Sequence, residues 1–262
     1  MLDIITKLRT EKPLIHHITN FVTINDQANI TLGIGASPIM ANNIKEAAEI
    51  AKISKALVLN IGTLNDIDSM ISAGISANEK GIPIILDPVG AGVSPYRNEC
   101  LEKIISNLKL AVIRGNISEI KFIAGMSKGA TGVDASNEDL KNINEAADIA
   151  KNLSEKLGST IVITGEIDIV SNGEKTAKIK NGHPRMANIT GTGCMATSVI
   201  ASFCSIEKDY FEASLTAMLC MGICGELAAE TSVGNGSFKV KFQDAISNIN
   251  YELLQKRSSY EL

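Results

Sequence analysis

The sequence predicts an α/β fold, a three-layer α/β/α sandwich whose mostly parallel central sheet carries helices on both faces. Three observations predict it. Short apolar runs ending in Gly, Asp or Asn alternate with longer segments of helical period, the pattern of βα units joined by right-handed crossovers. The chain is 45% hydrophobic but only 4% aromatic, so Ile, Ala, Leu and Val must build the core, as suits strands buried on both faces. Its 262 residues can fill one large core, and open sheets of this length commonly stay one domain, here 1–262.

The predicted strands are LIHHIT, SPIM, ALVLNIG, IPIILD, LAVIRG and STIVITG. Between them the period predicts helices over about 22–34, 43–53, 65–80, 97–108, 116–126 and 138–157. After Gly165 the rhythm changes. DIVSNGEKTAKIK sets an Asn-Gly turn between two alternating stretches and predicts an antiparallel hairpin at the sheet edge. Three helices follow, from about 194, 209 and 241. The second covers FEASLTAMLCMGICGELAAE, whose Glu212, Glu226 and many small residues predict a buried core helix rather than a membrane span.

Charge narrows the partners. With 25 Lys and Arg against 29 Asp and Glu the net charge is −4, and no basic cluster is dense enough to meet nucleic acid. The start, MLDIITKLRTEKP, carries acids and bases at short intervals and no apolar leader, which predicts a cytoplasmic protein. The five cysteines are odd in number and form no CxxC, so reduced thiols are expected rather than a zinc site or a disulfide framework. Cys220 and Cys224 share one face of an apolar helix and read as packing residues. His16 and His17, adjacent on a strand, face opposite ways, so at most one can reach a ligand and no zinc centre is expected.

Parallel sheets bind ligands at the carboxyl ends of their strands, and several strands end here in chemistry-bearing residues. Asp87 closes an aliphatic run and is followed by Pro88, Gly90 and Gly92; its carboxylate can start a turn, orient a hydroxyl or hold a hard cation. VIRGNISEI delivers Arg114, Asn116 and Glu119. Asn116 and Glu119 suit a helix capping box, and the same three residues suit a nucleotide phosphate and its Mg²⁺. Thr164 and Gly165 offer a hydroxyl and a bare backbone to phosphate, or a plain turn. Asn20 ends the first strand, and Met40 is either a core residue or the wall of an apolar pocket.

In NITGTGCMATSVIASF, Gly191, Thr192 and Gly193 present backbone N–H groups at the positive end of a helix, an anion hole. It is neither a Walker loop nor a dinucleotide fingerprint. Cys194 beside it is expected to have a lowered pKa and to act as a base or nucleophile. A cysteine hydrolase would also need an oriented base; His183 is the nearest histidine in sequence, and nothing marks a partner for it.

Together, HHITNFVT, GASPIMA, ALVLNIGTL, ILDPVGAG, AVIRGNISEI, VITGEID, NGH and ITGTGC, in this order and at these spacings, closely resemble the hydroxyethylthiazole kinase family of the thiamine pathway. The resemblance runs from about residue 10 to about residue 246 and implies a ribokinase-like fold. Where other ribokinase-like kinases carry an Asp as base, Cys194 stands here to take the proton of a primary alcohol. Gly191, Thr192 and Gly193 are implied to hold the transferring phosphoryl group. Arg114 and Thr164 match ATP-binding positions, with Asn116 beside them, and Asp87 and Glu119 lie around the Mg²⁺. Met40, Asn20 and Gly191 match the thiazole pocket. The family's assembly implies a homotrimer with active sites between subunits. One departure is GNGSF with Asn235, where relatives tend to have Gly-Pro-Gly-Ser-Phe; it implies a looser loop on the nucleotide side. Rival readings are a kinase of a hydroxymethylpyrimidine-type alcohol, an ATP-dependent dehydratase of hydrated nicotinamide cofactors, whose glycine loop usually keeps an Asp, and a nucleotide-binding regulator without turnover.

Overall fold

A computed structural model describes residues 4–64, 66–125 and 143–262, and in it every predicted apolar run forms a strand. The strands are β1 (Leu14–Ile18), β2 (Ser37–Met40), β3 (Ala56–Asn60), β4 (Ile84–Asp87), β5 (Val112–Asn116) and β6 (Thr160–Thr164), then β7 (Asp168–Ser171), β8 (Thr176–Ile179) and β9 (Tyr260–Glu261). They form one sheet of order β2-β1-β3-β4-β5-β6-β7-β8-β9. The first six run parallel and the last three antiparallel.

Each parallel strand sends alternate side chains to opposite faces, as the pleat requires. From β3, Ala56 and Val58 enter one core cluster, and Leu57 and Leu59 the other; β6 divides Val162 from Ile161 and Ile163 in the same way. One face is covered by α1 (Ile4–Glu11), α2 (Ile24–Ile34), α8 (Thr192–Cys204), α9 (Tyr210–Thr231), α10 (Asn235–Asn248) and α11 (Tyr251–Arg257). The other is covered by α3 (Ala47–Ile53), α4 (Ile67–Glu79), α5 (Pro95–Asn107), α6 (Ile117–Ile123) and α7 (Ile143–Leu157). These are the three layers expected.

Local chemistry sets the helix ends. Ser94 accepts from the Arg97 amide ahead of Pro95, and Asp209 accepts from the amides of Phe211 and Glu212 to start α9. Helix α9 is apolar on all sides, which only a buried helix tolerates. It is long and apolar enough to cross a membrane, yet 78% of its apolar window is buried inside the protein. Cys204, Cys220 and Cys224 are fully buried in the same cluster.

The structure corrects several boundaries. The last predicted helix begins at Asn235 rather than near 241, so the GNGSF segment is a helix start, not a loose loop. Ser237 accepts from the amides of Val233 and Gly234, and Asn235 Nδ2 donates to the Asn188 carbonyl at 3.2 Å. The predicted edge hairpin is covered by β9, which pairs with β8. Helices α1 and α11, and a 3-10 helix over Pro184–Asn188, were absent from the sequence pattern. Residues 65, 126 and 138–142 of the predicted helices lie outside the described residues.

Candidate active site

The strand register brings the polar strand ends into one row. Asn60 pairs with Asp87, Asn116 pairs with Thr164, and Leu86 with Ile113 sets Asp87 beside Arg114. Helix α8 points its first turn at this row. Gly191 precedes it at φ +97°, a left-handed conformation that favours glycine. Cys194 thereby lies in the first turn of α8, over the ends of β1 and β3.

Around the Cys194 sulfur the bonding groups are neutral, with the Asp26–Lys239 ion pair, 2.7 Å, standing beyond Gly191. Asn20 Nδ2 donates to Asn60 Oδ1 at 2.8 Å and reaches the Cys194 sulfur at 3.6 Å. Asn60 Nδ2 donates to the same sulfur at 3.2 Å and to Asp87 Oδ2 at 2.8 Å. Asn20 Oδ1 accepts from the Thr23 amide and hydroxyl, both at 3.0 Å. His17, pushed by burial down to about 3, is a neutral ring hydrogen-bonded to Ser198 at 3.2 Å. His16 Nε2 lies 2.6 Å from the Ala41 carbonyl on the opposite face. His183 caps the 3-10 helix by accepting from the Arg185 amide.

The neighbouring side is charged. Arg114 Nη1 lies 3.5 Å from Asp87 Oδ1, and Nη2 donates to Thr164 Oγ1 at 2.5 Å. The guanidinium rests on Gly193, where an added Cβ would stand 2.6 Å from both Nη atoms. Thr197, one turn along α8, donates to Asp87 Oδ2 at 3.0 Å. Asn116 and Glu119 do form the capping box: Asn116 Oδ1 accepts from the Glu119 amide, and Glu119 Oε2 accepts from the Asn116 amide. Glu119 Oε1 also accepts from the Gly90 amide at 2.8 Å, tying the β4 turn to α6. Asp168 Oδ1 accepts from the Gly165 amide at 2.9 Å and so shapes the Thr164 turn.

Burial dominates the titration of these acids. It raises Asp87, against the pull of Arg114, and pushes Glu119 up to about 7, with the charge of Asp87 adding to the rise. Cys194 moves opposite to the sequence expectation. Burial and the Asp87 charge push its thiol up to about 11, outweighing the helix end that was expected to lower it.

Asp87 Oδ1 and Arg114 Nε are buried without a hydrogen-bond partner. A pair of buried carboxylates, both raised, with an unpartnered oxygen between them and a phosphate-compatible arginine, fits a hard divalent cation brought with a polyphosphate. Among the described residues no three His, Cys, Asp or Glu side chains converge on one point.

Side-chain bonds join Asn20, Asp87, Arg114, Thr164 and Cys194 in one network, with Asn116 and Glu119 alongside. Met40 stands at the end of edge strand β2, half-buried and opposite His17 in register. Asn60, Thr197, Thr23 and Asp168 were not singled out from sequence. Asn60 carried the signal that revealed Asp87, a polar residue closing an aliphatic run; Thr197, inside a helix, carried none.

The sheet order and layering are those of a ribokinase-like fold. A Staphylococcus aureus pyridoxal kinase in complex with pyridoxal superposes with a TM-score of 0.60 at 16% identity, covering 82% of this chain and 88% of its own, a likeness of fold alone. The hydroxyethylthiazole kinase family model matches residues 5–252, and the chain belongs to that family. A hydroxyethylthiazole kinase of Clostridium beijerinckii is 50% identical over 259 residues, 97% of this chain and 94% of that protein. The structure of a hydroxyethylthiazole kinase from Pyrococcus horikoshii aligns with a TM-score of 0.89 at 34% identity, covering 98% of this chain and 96% of its own.

Proposed function

We propose that the protein transfers the γ-phosphoryl group of ATP to the primary alcohol of 4-methyl-5-(2-hydroxyethyl)thiazole, in the presence of Mg²⁺, to supply thiamine phosphate synthesis. The observation that carries this reading is the bridge from the Cys194 sulfur through Asn60 to Asp87 and Arg114. It sets an alcohol-facing group beside a phosphate- and cation-facing one. The family relationship supports the choice of alcohol.

Phosphoryl transfer passes through a loose transition state, so positioning and charge stabilisation supply most of the rate. The alcohol oxygen bonds to the γ-phosphorus and the phosphorus–oxygen bond to ADP breaks. In the free protein Cys194 is a neutral thiol that orients the hydroxyl; for its sulfur to take the alcohol's proton late in the transfer, the thiol first gives its own proton to water. Gly191, Thr192 and Gly193 give the transferring group backbone N–H donors at the α8 terminus. Arg114 and Thr164 bind phosphate oxygens, with Asn116 beside them. Mg²⁺ would be held by Asp87 and Glu119 and would neutralise phosphoryl charge; it would also offset the Asp87 charge, which adds to burial in keeping the thiol protonated. Asn20, Met40 and Gly191 line the thiazole pocket.

The working unit in this reading is a single domain, cytoplasmic, without a nucleic-acid or membrane partner, assembled as a homotrimer with active sites between subunits. The exposure of Phe21 and Val22, 68% and 63%, directly after Asn20 supports burial of this corner against another subunit; light scattering of the purified protein tests the stoichiometry. The decisive assay incubates the protein with ATP, Mg²⁺ and the thiazole alcohol. Mass spectrometry should show the alcohol gain one phosphate; an unmodified alcohol beside a phosphorylated hydroxymethylpyrimidine would transfer the reading to the other ring.

A further inference from the structure

Asn60 closes β3 between Asn20 and Asp87 and is completely buried. Its amide is fully used. Oδ1 accepts from the Gly62 amide at 2.9 Å and from Asn20 Nδ2 at 2.8 Å, while Nδ2 donates to Asp87 Oδ2 and to the Cys194 sulfur. The Gly62 backbone can only donate, so the carboxamide has one orientation: oxygen toward Gly62, nitrogen toward the carboxylate and the sulfur.

The residue type follows from this demand. Two N–H donors are needed on one side and an acceptor on the other, and among short side chains only asparagine has both. An aspartate would present an acceptor to Asp87 2.8 Å away, and a serine could donate only once. Cys194 arrives on α8 and Asp87 on β4, elements that Thr197 of α8 also joins through its bond to Asp87 Oδ2. The thiol itself is a hydrogen-bond partner of Asp87, and Asn60 touches both groups from the neighbouring strand.

We infer that Asn60 is a positioning residue, holding the Cys194 sulfur and the Asp87 carboxylate at a fixed separation so that an alcohol placed by the first stays aligned with the phosphoryl group managed beside the second. The inference rests on the alcohol-phosphorylating reading given above. Through Asn20, which donates to the same amide, the order extends to the thiazole side. Satisfied buried networks of this kind hold one geometry, and small misplacements of reacting groups cost turnover more than binding.

Two variants test it. Asn60→Asp keeps the oxygen that serves Gly62 and Asn20 and replaces both donors with an acceptor against Asp87; Asn60→Leu removes all four bonds at similar volume and adds no charge. Initial rates are measured over ranges of ATP and alcohol at saturating Mg²⁺, with the dissociation constant of ATP from calorimetry and the melting temperature as a check of folding. The expected result is a kcat lower by about 100-fold, with the ATP dissociation constant and the alcohol KM within about threefold of wild type. A folded Asn60→Asp that keeps kcat within about threefold, or whose loss lies in KM, overturns the assignment. Should Asn60→Leu fail to fold, Asn60→Asp decides alone. If the wild-type protein leaves the thiazole alcohol unphosphorylated, the functional reading fails instead, and the same kcat and KM split is read on the alcohol it does phosphorylate.

Discussion

The partners of the Cys194 sulfur are amides and hydroxyls that bond to one another, with the paired charges of Asp26 and Lys239 at their margin, whereas the half around Asp87 and Arg114 is charged and incomplete. Asn20, Asn60 and Thr23 satisfy each other within about one strand spacing. Asp87 Oδ1 and Arg114 Nε have no hydrogen-bond partner, although both are buried. A satisfied neutral network is a finished part of the fold. Buried charges left short of partners are costly in the free protein and are repaid only when something arrives. In the proposed reaction, then, the protein preorganises the alcohol side and the ligands complete the phosphate side.

Breaking the charged half should cost most. Arg114→Ala removes both the counter-charge of Asp87 and the donor to Thr164, and kcat/KM for ATP should fall roughly 10²–10³-fold in steady-state assays. On the neutral half, Cys194→Ala should lower kcat by about 10², while Cys194→Asp, which restores a base, should keep turnover; a dead Cys194→Asp would instead point to covalent thiol chemistry. Gly193→Ala probes the seam between the halves. Its Cβ would displace the end of the Arg114 side chain and weaken charged hydrogen bonds worth about 1.5–3 kcal/mol, so ATP affinity by calorimetry should drop about tenfold while the helix keeps its stability.

The last effect is on stability rather than turnover and sharpens the account of the charged half. Burial pushes Asp168 up to about 7 from 3.8. Between these values the folded chain holds a proton that the unfolded chain has released, so this group makes stability fall as pH rises across the window and level off above it. The slope is about 1.4 kcal/mol per pH unit at most. Asp168→Asn, which still accepts from Gly165, should flatten that part of the curve in thermal melts between pH 4 and pH 7.

Most of the parallel half of the fold was legible because its strands are uninterrupted aliphatic runs with polar ends. The antiparallel margin was less so. Two residues, Tyr260 and Glu261, make β9 only because β8 offers a free edge, and no local pattern announces that. Helix α10 was read late because GNGSF looks like a turn until Ser237 is seen accepting the amides that open it. The candidate residues at strand ends were read from position, and the register does bring Asn60, Asp87, Arg114, Asn116 and Thr164 to one edge of the sheet. Position did not reveal the titration of Cys194. A helix terminus is visible in sequence, but the Asp87 charge and the burial that overrule it come from a strand more than a hundred residues away.

The row Asn20, Asn60, Asp87, Arg114 and Thr164 occupies five adjacent parallel strands, β1-β3-β4-β5-β6. Neighbouring strands are spaced about 4.8 Å apart, so the row spans roughly 19 Å. The sheet thus serves as a ruler: each polar strand end is a graduation, set at an interval fixed by backbone hydrogen bonds. Because those intervals belong to the backbone, a side chain at one mark can change while the distances between the others persist. Cys194, which reaches the row from α8 rather than from a strand, can be exchanged without any redrawing of the scale.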